Sequence, residues 1–163
     1  MTKHVGFCGG SSIRELGSAL EVAGFFEVIE IYVTQQHPSD DWSILTDRLY
    51  KRYIRLEELN YSSNLMSKVQ ISLSKTSISN LRKTFTFRYL ENSIDIDQPL
   101  SEFFSNYFSS FNYCTESAIL FHKSWGIYKP VRTVFSDIPD FYFEKNRNLS
   151  EYDSLTGEPF WLR

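Results

Sequence analysis

The segment Gln98–Trp125 (QPLSEFFSNYFSSFNYCTESAILFHKSW) decides how this chain folds. Six large apolar residues in it recur at the helical spacing i, i+3, i+4, i+7, i+8 and i+11: Leu100, Phe103, Phe104, Tyr107, Phe108 and Phe111. That spacing places them on one face of a helix, opposite a face of serine, asparagine and glutamate. The apolar face can continue through Cys114, Ala118, Phe121, His122 and Trp125. We therefore predict a core helix that ends at Gly126, either as one helix or as two that meet near Asn112.

The composition indicates one globular domain, residues 1–163, with a substantial core. The chain is 42% hydrophobic and 17% aromatic, so burial alone can hold the core without a disulfide or a metal. Cys8 and Cys114 form no disulfide framework, and we expect a reducing compartment. The N-terminus has no long apolar segment, and no run approaches about 18 apolar residues. We therefore expect a cytoplasmic protein with no membrane partner.

The first third of the chain has the pattern of a β-α-β opening. His4–Cys8 has the composition of a short buried strand, and two glycines follow it. Ser12 and Glu15 have the spacing of a capping box at the start of a helix, and Gly24 is a suitable end for that helix. Phe25–Val33 is rich in Phe, Val and Ile, which favours a strand.

The remaining patterns complete a mixed α and β prediction. Trp, Leu and Tyr residues at helical spacing predict a second long helix over Asp40–Leu59, whereas partial alternation weakly favours a strand over Met66–Leu73. Thr84–Leu90 and Ile94–Asp97 alternate more strictly and predict a hairpin. Val131–Phe135 predicts a further strand. The fold class expected is therefore α+β, a single domain in which a mixed or antiparallel sheet packs against two long helices.

The turn Gly9–Ser12 is one candidate for small-molecule chemistry. A strand, two glycines and a helix N-terminus can bind a phosphate through free backbone N–H groups. Such a turn would suit an enzyme that acts on a nucleotide or another small molecule. However, no Lys-Ser or Lys-Thr pair follows the glycines, and the spacing G-x-G-x-x-G is missing. A tight turn followed by a helix cap explains the same residues.

Histidines, cysteines and carboxylates form no recognisable metal or catalytic motif. His4, His37 and His122 are far apart in sequence, and neither H-E-x-x-H nor C-x-x-C occurs. Asp95 and Asp97 would share one face of a strand and could hold a metal. Acids in such positions also protect an edge strand from aggregation, which we favour here. We predict that the protein is not an enzyme and that it binds neither a metal nor a cofactor.

Charged residues are distributed unevenly along the chain. Tyr61–Leu90 contains five basic residues and no acidic one, whereas Glu91–Ser117 contains five acidic residues and no basic one. From Asp137 to the C-terminus there are six acids and three bases. Acidic surfaces steer basic partners toward them. The sequence pI of about 5.6 argues against a nucleic-acid partner.

Two segments near the C-terminus carry a family resemblance. They are Asp137–Glu144 (DIPDFYFE) and Gly157–Arg163 (GEPFWLR). With the small, acidic and aromatic-rich profile of the whole chain, they resemble bacterial immunity proteins of contact-dependent growth inhibition and polymorphic toxin systems. The resemblance implies a cytoplasmic protein that binds one cognate toxin, most often a nuclease, and blocks it stoichiometrically.

The predicted interface for such a toxin lies on the acidic segments. Its candidate residues combine acids with two tyrosines of the kind enriched at binding hot spots: Asp95, Asp97, Asp137, Asp140, Tyr142, Glu144, Glu151, Tyr152 and Asp153. If these acids serve only solubility, the basic block Tyr61–Leu90 is the next candidate surface. Two other functions stay open, a nucleotide or small-molecule enzyme at Gly9–Ser12 and an adaptor with no toxin partner.

Overall fold

A computed structural model describes residues 4–81 and 97–135, and their centre is a three-stranded antiparallel sheet. The strands are β1 (His4–Gly9), β2 (Ser12–Ser18) and β3 (Arg132–Phe135). Strand β1 lies in the middle and pairs antiparallel with both neighbours, so the order is β2-β1-β3. Helices pack against this sheet. The predicted fold class, a single α+β domain with an antiparallel sheet, is confirmed.

The first two strands form a β-hairpin, and this corrects the predicted β-α-β opening. Strand β1 confirms the predicted first strand, but the chain from Ser12 onward continues as β2 instead of a helix. The turn contains Gly10, whose φ of 58° is left-handed and suits glycine. The predicted capping box of Ser12 and Glu15 is wrong. The glycine turn reverses the direction of the chain, so both residues lie in β2, which pairs with β1.

The first helix, α1 (Ala19–Val28), begins directly after β2. The Ser18 hydroxyl accepts a hydrogen bond from the Glu21 backbone N–H at 3.2 Å and lies 3.3 Å from the Glu21 carboxylate, to which it donates. This Ser-x-x-Glu pair caps the helix. It has the same spacing as the pair that we predicted six residues earlier in the chain.

The predicted strand Phe25–Val33 is also wrong, because α1 continues through this segment. A π-helical turn, Ile29–Val33, and the helical residues Thr34–Gln36 extend it. Gly24 lies buried inside α1 and does not end it. Buried helices and buried strands share the same continuous apolar runs, so periodicity alone does not separate them.

The predicted helix Asp40–Leu59 is wrong, because the chain there breaks into short pieces. A π-helical turn covers Ile44–Leu49, and a single 3-10 turn covers Leu56–Glu58. Between them Ile54 forms an isolated antiparallel bridge with Val131, in which the Ile54 N–H donates to the Val131 carbonyl at 2.9 Å. This bridge requires extended backbone at a position that a continuous helix would occupy.

The second long helix is α2 (Leu59–Leu73), which includes the predicted strand Met66–Leu73. Its buried side chains recur every three or four residues: Leu59, Ser62, Leu65, Met66, Val69, Ser72 and Leu73. That spacing is helical along the whole segment. The strand prediction is therefore wrong, because it used only the partial alternation in the second half.

The aromatic segment confirms the predicted core helix. It forms a short helix, Leu100–Phe103, and the long helix α3 (Ser105–Trp125), which ends at Gly126 with a left-handed φ of 69°. The two helices meet at Phe104 instead of Asn112. The buried side chains follow the predicted face: Leu100, Phe104, Tyr107, Phe108, Phe111, Cys114 and Ala118.

A cluster of aromatic rings joins α3 to both the sheet and α1. Phe7 of β1 makes edge-to-face contacts with Tyr107 and Phe111, with ring centroids 6.3 Å apart in each case. Phe25 of α1 packs 5.0 Å from Phe104 and 4.7 Å from Tyr107. Edge-to-face and tilted pairs at these distances stabilise a core beyond simple area burial.

The other predicted elements have different outcomes. Strand β3, with the bridge at Val131, confirms the predicted strand Val131–Phe135. The predicted hairpin of Thr84–Leu90 and Ile94–Asp97 lies outside the described residues, except for Asp97, which is in a turn. The segment Asp137–Arg163 also lies outside them. Among the helices of residues 4–81 and 97–135, none has the length and apolar character needed to cross a membrane.

Gly10 and Gly126 offer a matched test of how closely the hairpin approaches α3. Both have left-handed φ angles, but a Cβ at residue 10 would lie 2.3 Å from the Ser117 carbonyl oxygen, whereas a Cβ at residue 126 would meet nothing within 4 Å. We expect Gly126→Ala to lower the free energy of unfolding by about 1–2 kcal/mol, the cost of the conformation alone. Gly10→Ala should cost about 2–5 kcal/mol, because it adds a backbone clash. Denaturant unfolding measures both, and equal losses would contradict this packing.

A buried tyrosine and a partly buried one predict different effects of removing a hydroxyl. The Tyr107 hydroxyl is buried and has no hydrogen-bond partner among the described residues, whereas the Tyr128 hydroxyl donates to the Ile54 carbonyl. We expect Tyr128→Phe to lower the free energy of unfolding by about 1–3 kcal/mol, since a buried carbonyl loses its donor. Tyr107→Phe should leave stability unchanged or raise it by about 1 kcal/mol. Thermal and denaturant unfolding of both variants would check the contrast, which a loss in Tyr107→Phe would refute.

One ion pair holds the loop after α1 against α2. The Asp40 carboxylate lies 2.6 Å from the Lys68 Nζ atom. The Tyr61 hydroxyl accepts a hydrogen bond from the Asp41 backbone N–H at 2.8 Å, which ties the same loop to the start of α2. The hydrogen bond from Lys68 lowers the pKa of Asp40 below its ordinary value of 3.8.

This lowered pKa predicts a pH dependence of stability. A carboxylate whose pKa is lower in the folded state stabilises the fold above its unfolded pKa and loses that contribution as pH falls through the folded pKa. We expect Asp40→Asn to be less stable than the natural chain at pH 7, with the difference closing below about pH 3.8. Lys68→Met should remove the same part of the pH dependence. Denaturant unfolding across pH 2–7 measures it, and a constant difference between Asp40→Asn and the natural chain would contradict the assignment.

Candidate functional site

Two adjoining hollows lie between α2 and the chain that leads into α3, and we call them together the acidic groove. The larger hollow is about 550 Å³ and is lined by Ser67, Gln70, Ile71, Ser74, Ser101, Glu102 and Ser105. The smaller is about 240 Å³ and is lined by Ser74, Lys75, Thr76, Ser77, Asn80, Asp97 and Pro99. Ser74 belongs to both, so the two hollows form one continuous surface.

The backbone fixes the two walls of the acidic groove against each other. The Leu100 backbone N–H donates to the Thr76 carbonyl at 2.9 Å, and Ser77 forms an isolated antiparallel bridge with Pro99. Leu100 itself is fully buried. These contacts hold the start of the short helix beside the end of α2, so the groove is formed before any partner binds.

The side chains of the acidic groove suit recognition of a protein surface. Asp97 and Glu102 are exposed carboxylates, and Lys75 is the one cation among the lining residues that the structure describes. Ile71 is 59% exposed, which is unusual for a large aliphatic residue on a helix that buries its other face. An apolar anchor surrounded by hydroxyls and carboxylates has the make-up of an interface with a polar rim.

Of the predicted interface residues, the structure describes Asp97, and it places this residue in the acidic groove. The other candidates lie outside the described residues: Asp95, Asp137, Asp140, Tyr142, Glu144, Glu151, Tyr152 and Asp153. Sequence reasoning missed Ile71, Glu102 and the serines around them. Glu102 belongs to the acidic segment Glu91–Ser117. Its position beside α2 was not predicted, because the sequence favoured a strand over Met66–Leu73, which is the second half of that helix.

The Gly9–Ser12 turn does not have the geometry of the predicted phosphate site. Ser12 begins a strand, so the turn does not lead into the N-terminus of a helix. The backbone N–H groups of Gly10 and Ser11 already donate to the Lys129 carbonyl at 3.0 Å and to the Ser117 hydroxyl at 3.3 Å. Within residues 4–81 and 97–135, no three His, Cys, Asp or Glu side chains are close enough to hold a metal ion.

A second exposed surface lies on the C-terminal half of α3, and we call it the helix-end face. It presents large apolar side chains that are half exposed or more: Tyr113 (51%), Leu120 (63%), Trp125 (70%) and Ile127 (58%). A groove of about 350 Å³ runs beside it, lined by side chains of the hairpin turn and of α3. The exposure of Trp125 corrects its predicted place in the core, because Trp125 is the last residue of α3 and lies beyond the helix's buried residues, which end at Ala118.

Comparisons of this chain with protein-family models, with curated proteins and with solved structures give no match. The chemistry of the acidic groove and of the helix-end face therefore has to be inferred from their own side chains. Both surfaces consist of rigid backbone elements that carry exposed apolar groups, and a charged residue accompanies the apolar groups on each.

Proposed function

We propose that this protein is an immunity protein that binds and neutralises a cognate bacterial toxin, and that the acidic groove is part of the binding surface. The observation that carries the proposal is the position of Asp97 and Glu102 at two adjoining hollows around the exposed Ile71. The resemblance of the C-terminal segments to immunity proteins supports the same function.

The chemistry of the groove suits a basic partner. A nuclease binds phosphate in a cleft lined by basic side chains, and an acidic surface can occupy that cleft or cover its entrance. Exposed carboxylates steer such a partner toward the groove, and a desolvated apolar anchor then slows its dissociation. Asp97 and Glu102 supply the first property, and Ile71 supplies the second.

The alternative functions have less support from geometry. An enzyme acting at the Gly9–Ser12 turn would need free backbone donors, and the N–H groups of Gly10 and Ser11 are already used within the chain. An adaptor would use a surface of the same kind as a toxin inhibitor. A growth assay in cells distinguishes an adaptor from an immunity protein, because only an immunity protein protects against a toxin.

The charge of the groove can be tested with a matched control. We expect Asp97→Lys combined with Glu102→Lys to slow association with the toxin domain and to flatten the salt dependence of association. Glu30→Lys combined with Glu57→Lys makes the same change of charge at two exposed positions outside the groove and should alter neither by as much. Ile71→Ala should raise the dissociation rate, at a cost of roughly 1–2 kcal/mol. Surface plasmon resonance at two salt concentrations measures all four proteins.

The toxin domain for this test is the C-terminal region of the protein encoded immediately upstream, if it is toxic when expressed alone. Co-expression of the natural chain should restore growth, and the groove variants should restore it less well than the variant with Glu30→Lys and Glu57→Lys does. Circular dichroism confirms that each variant is folded. Unchanged kinetics in both groove variants would place the interface elsewhere, and a lack of protection by the natural chain would refute the immunity function.

A further inference from the structure

The helix-end face contains apolar residues on the side of α3 that points away from the core. Tyr113 and Leu120 are seven residues apart, so they lie almost in line along the helix. Ile127 follows the left-handed Gly126 and is also exposed. Together these three side chains extend over roughly the last three helical turns and the cap. Large apolar groups aligned in this way are rarely left uncovered in a soluble protein.

The residues beside this line differ on its two sides. Ser117 and Ser124 lie on the side of the hairpin turn, and they are small enough to accept a large side chain from a facing helix. Glu116 and Lys123 lie on the other side, and both are exposed. They are seven residues apart, which is about 10.5 Å of helix rise and too far for an ion pair within one helix.

We propose that a second copy of this chain covers the helix-end face, with the two α3 helices antiparallel and a two-fold axis at Leu120. Such an axis pairs residues that are equally far before and after it along the helix. Leu120 then meets Leu120 of the second copy, and Tyr113, seven residues before the axis, lies opposite the end of the second α3, where Gly126 caps the helix and Ile127 is exposed. The face is therefore complementary to itself, as a two-fold interface requires.

The charges favour this direction of packing over the parallel one. In the antiparallel pair Glu116 faces the region of Lys123 of the second copy, and the symmetry repeats this contact. In a parallel pair, the side that carries Glu116 and Lys123 would face the serine side of the second copy, so neither charge would gain a partner of opposite sign. Opposite charges beside an apolar seam are the usual determinant of helix orientation.

The hairpin holds the helix-end face in shape before association. The Ser12 hydroxyl donates to the Ser117 hydroxyl at 3.0 Å, and Gly10 packs directly on the Ser117 backbone. Little ordering is then required when two copies meet. The acidic groove lies at the other end of α3, beside Ser105. The dimer thus leaves the proposed toxin surface open and does not depend on the proposed function.

The mass of the protein in solution tests the proposal directly. We expect light scattering and sedimentation to show 19.1 kDa at low concentration and twice that mass at high concentration, with a dissociation constant of roughly micromolar order for an interface of this small size. Leu120→Glu should remain monomeric at every concentration. Leu120 is exposed, so circular dichroism should show an unchanged fold.

Charge exchange tests the antiparallel register. Glu116→Lys and Lys123→Glu should each weaken the dimer by roughly tenfold, and the double variant should restore it, because the pairs are then reversed. A natural chain that is monomeric throughout, or a dimer that survives Leu120→Glu, would overturn the proposal. A double variant that fails to restore the dimer would overturn the antiparallel arrangement. None of these measurements uses the toxin, so they are independent of the immunity function.

Discussion

The burial of the aromatic face of α3 between the sheet and α1 is the interaction on which the rest of this structure depends. Phe7 from the central strand and Phe25 from α1 both pack against Tyr107, at 6.3 and 4.7 Å between ring centroids. Removing α3 would therefore uncover the inner face of the sheet and the buried side of α1 at once. Rings that contact one another edge to face also specify one arrangement more strictly than aliphatic side chains do.

The close approach of the hairpin to α3 follows from that packing. A Cβ at Gly9 would lie 2.5 Å from the Cys114 carbonyl oxygen, and one at Gly10 would lie 2.3 Å from that of Ser117. Two adjacent residues without side chains thus allow the turn to rest on the helix backbone. The glycines that resembled a phosphate-binding turn have a structural role here, and the hydroxyls of the neighbouring serines complete the contact.

The two ends of α3 present different surfaces. Near Ser105 the helix adjoins α2 and forms one wall of the acidic groove. Near its other end, Leu120 on the side that points away from the core and Trp125 in the last turn are exposed to solvent. One helix therefore supplies the core at its centre, a wall of the proposed toxin surface at one end and the proposed dimer contact at the other.

The sequence by itself determined the elements whose residues have a single strong pattern: the core face of α3, its stop at Gly126, the strand at β1 and the strand at β3. It also predicted an interface at Asp97, a residue that lines the acidic groove. Only the tertiary structure decided that Phe25–Val33 is helical and that Met66–Leu73 is helical, because apolar runs and partial alternation suit either conformation until their neighbours are known. The acidic groove and the helix-end face could be identified only from the tertiary structure. Both depend on which side chains remain uncovered after α2, the hairpin and α3 have packed.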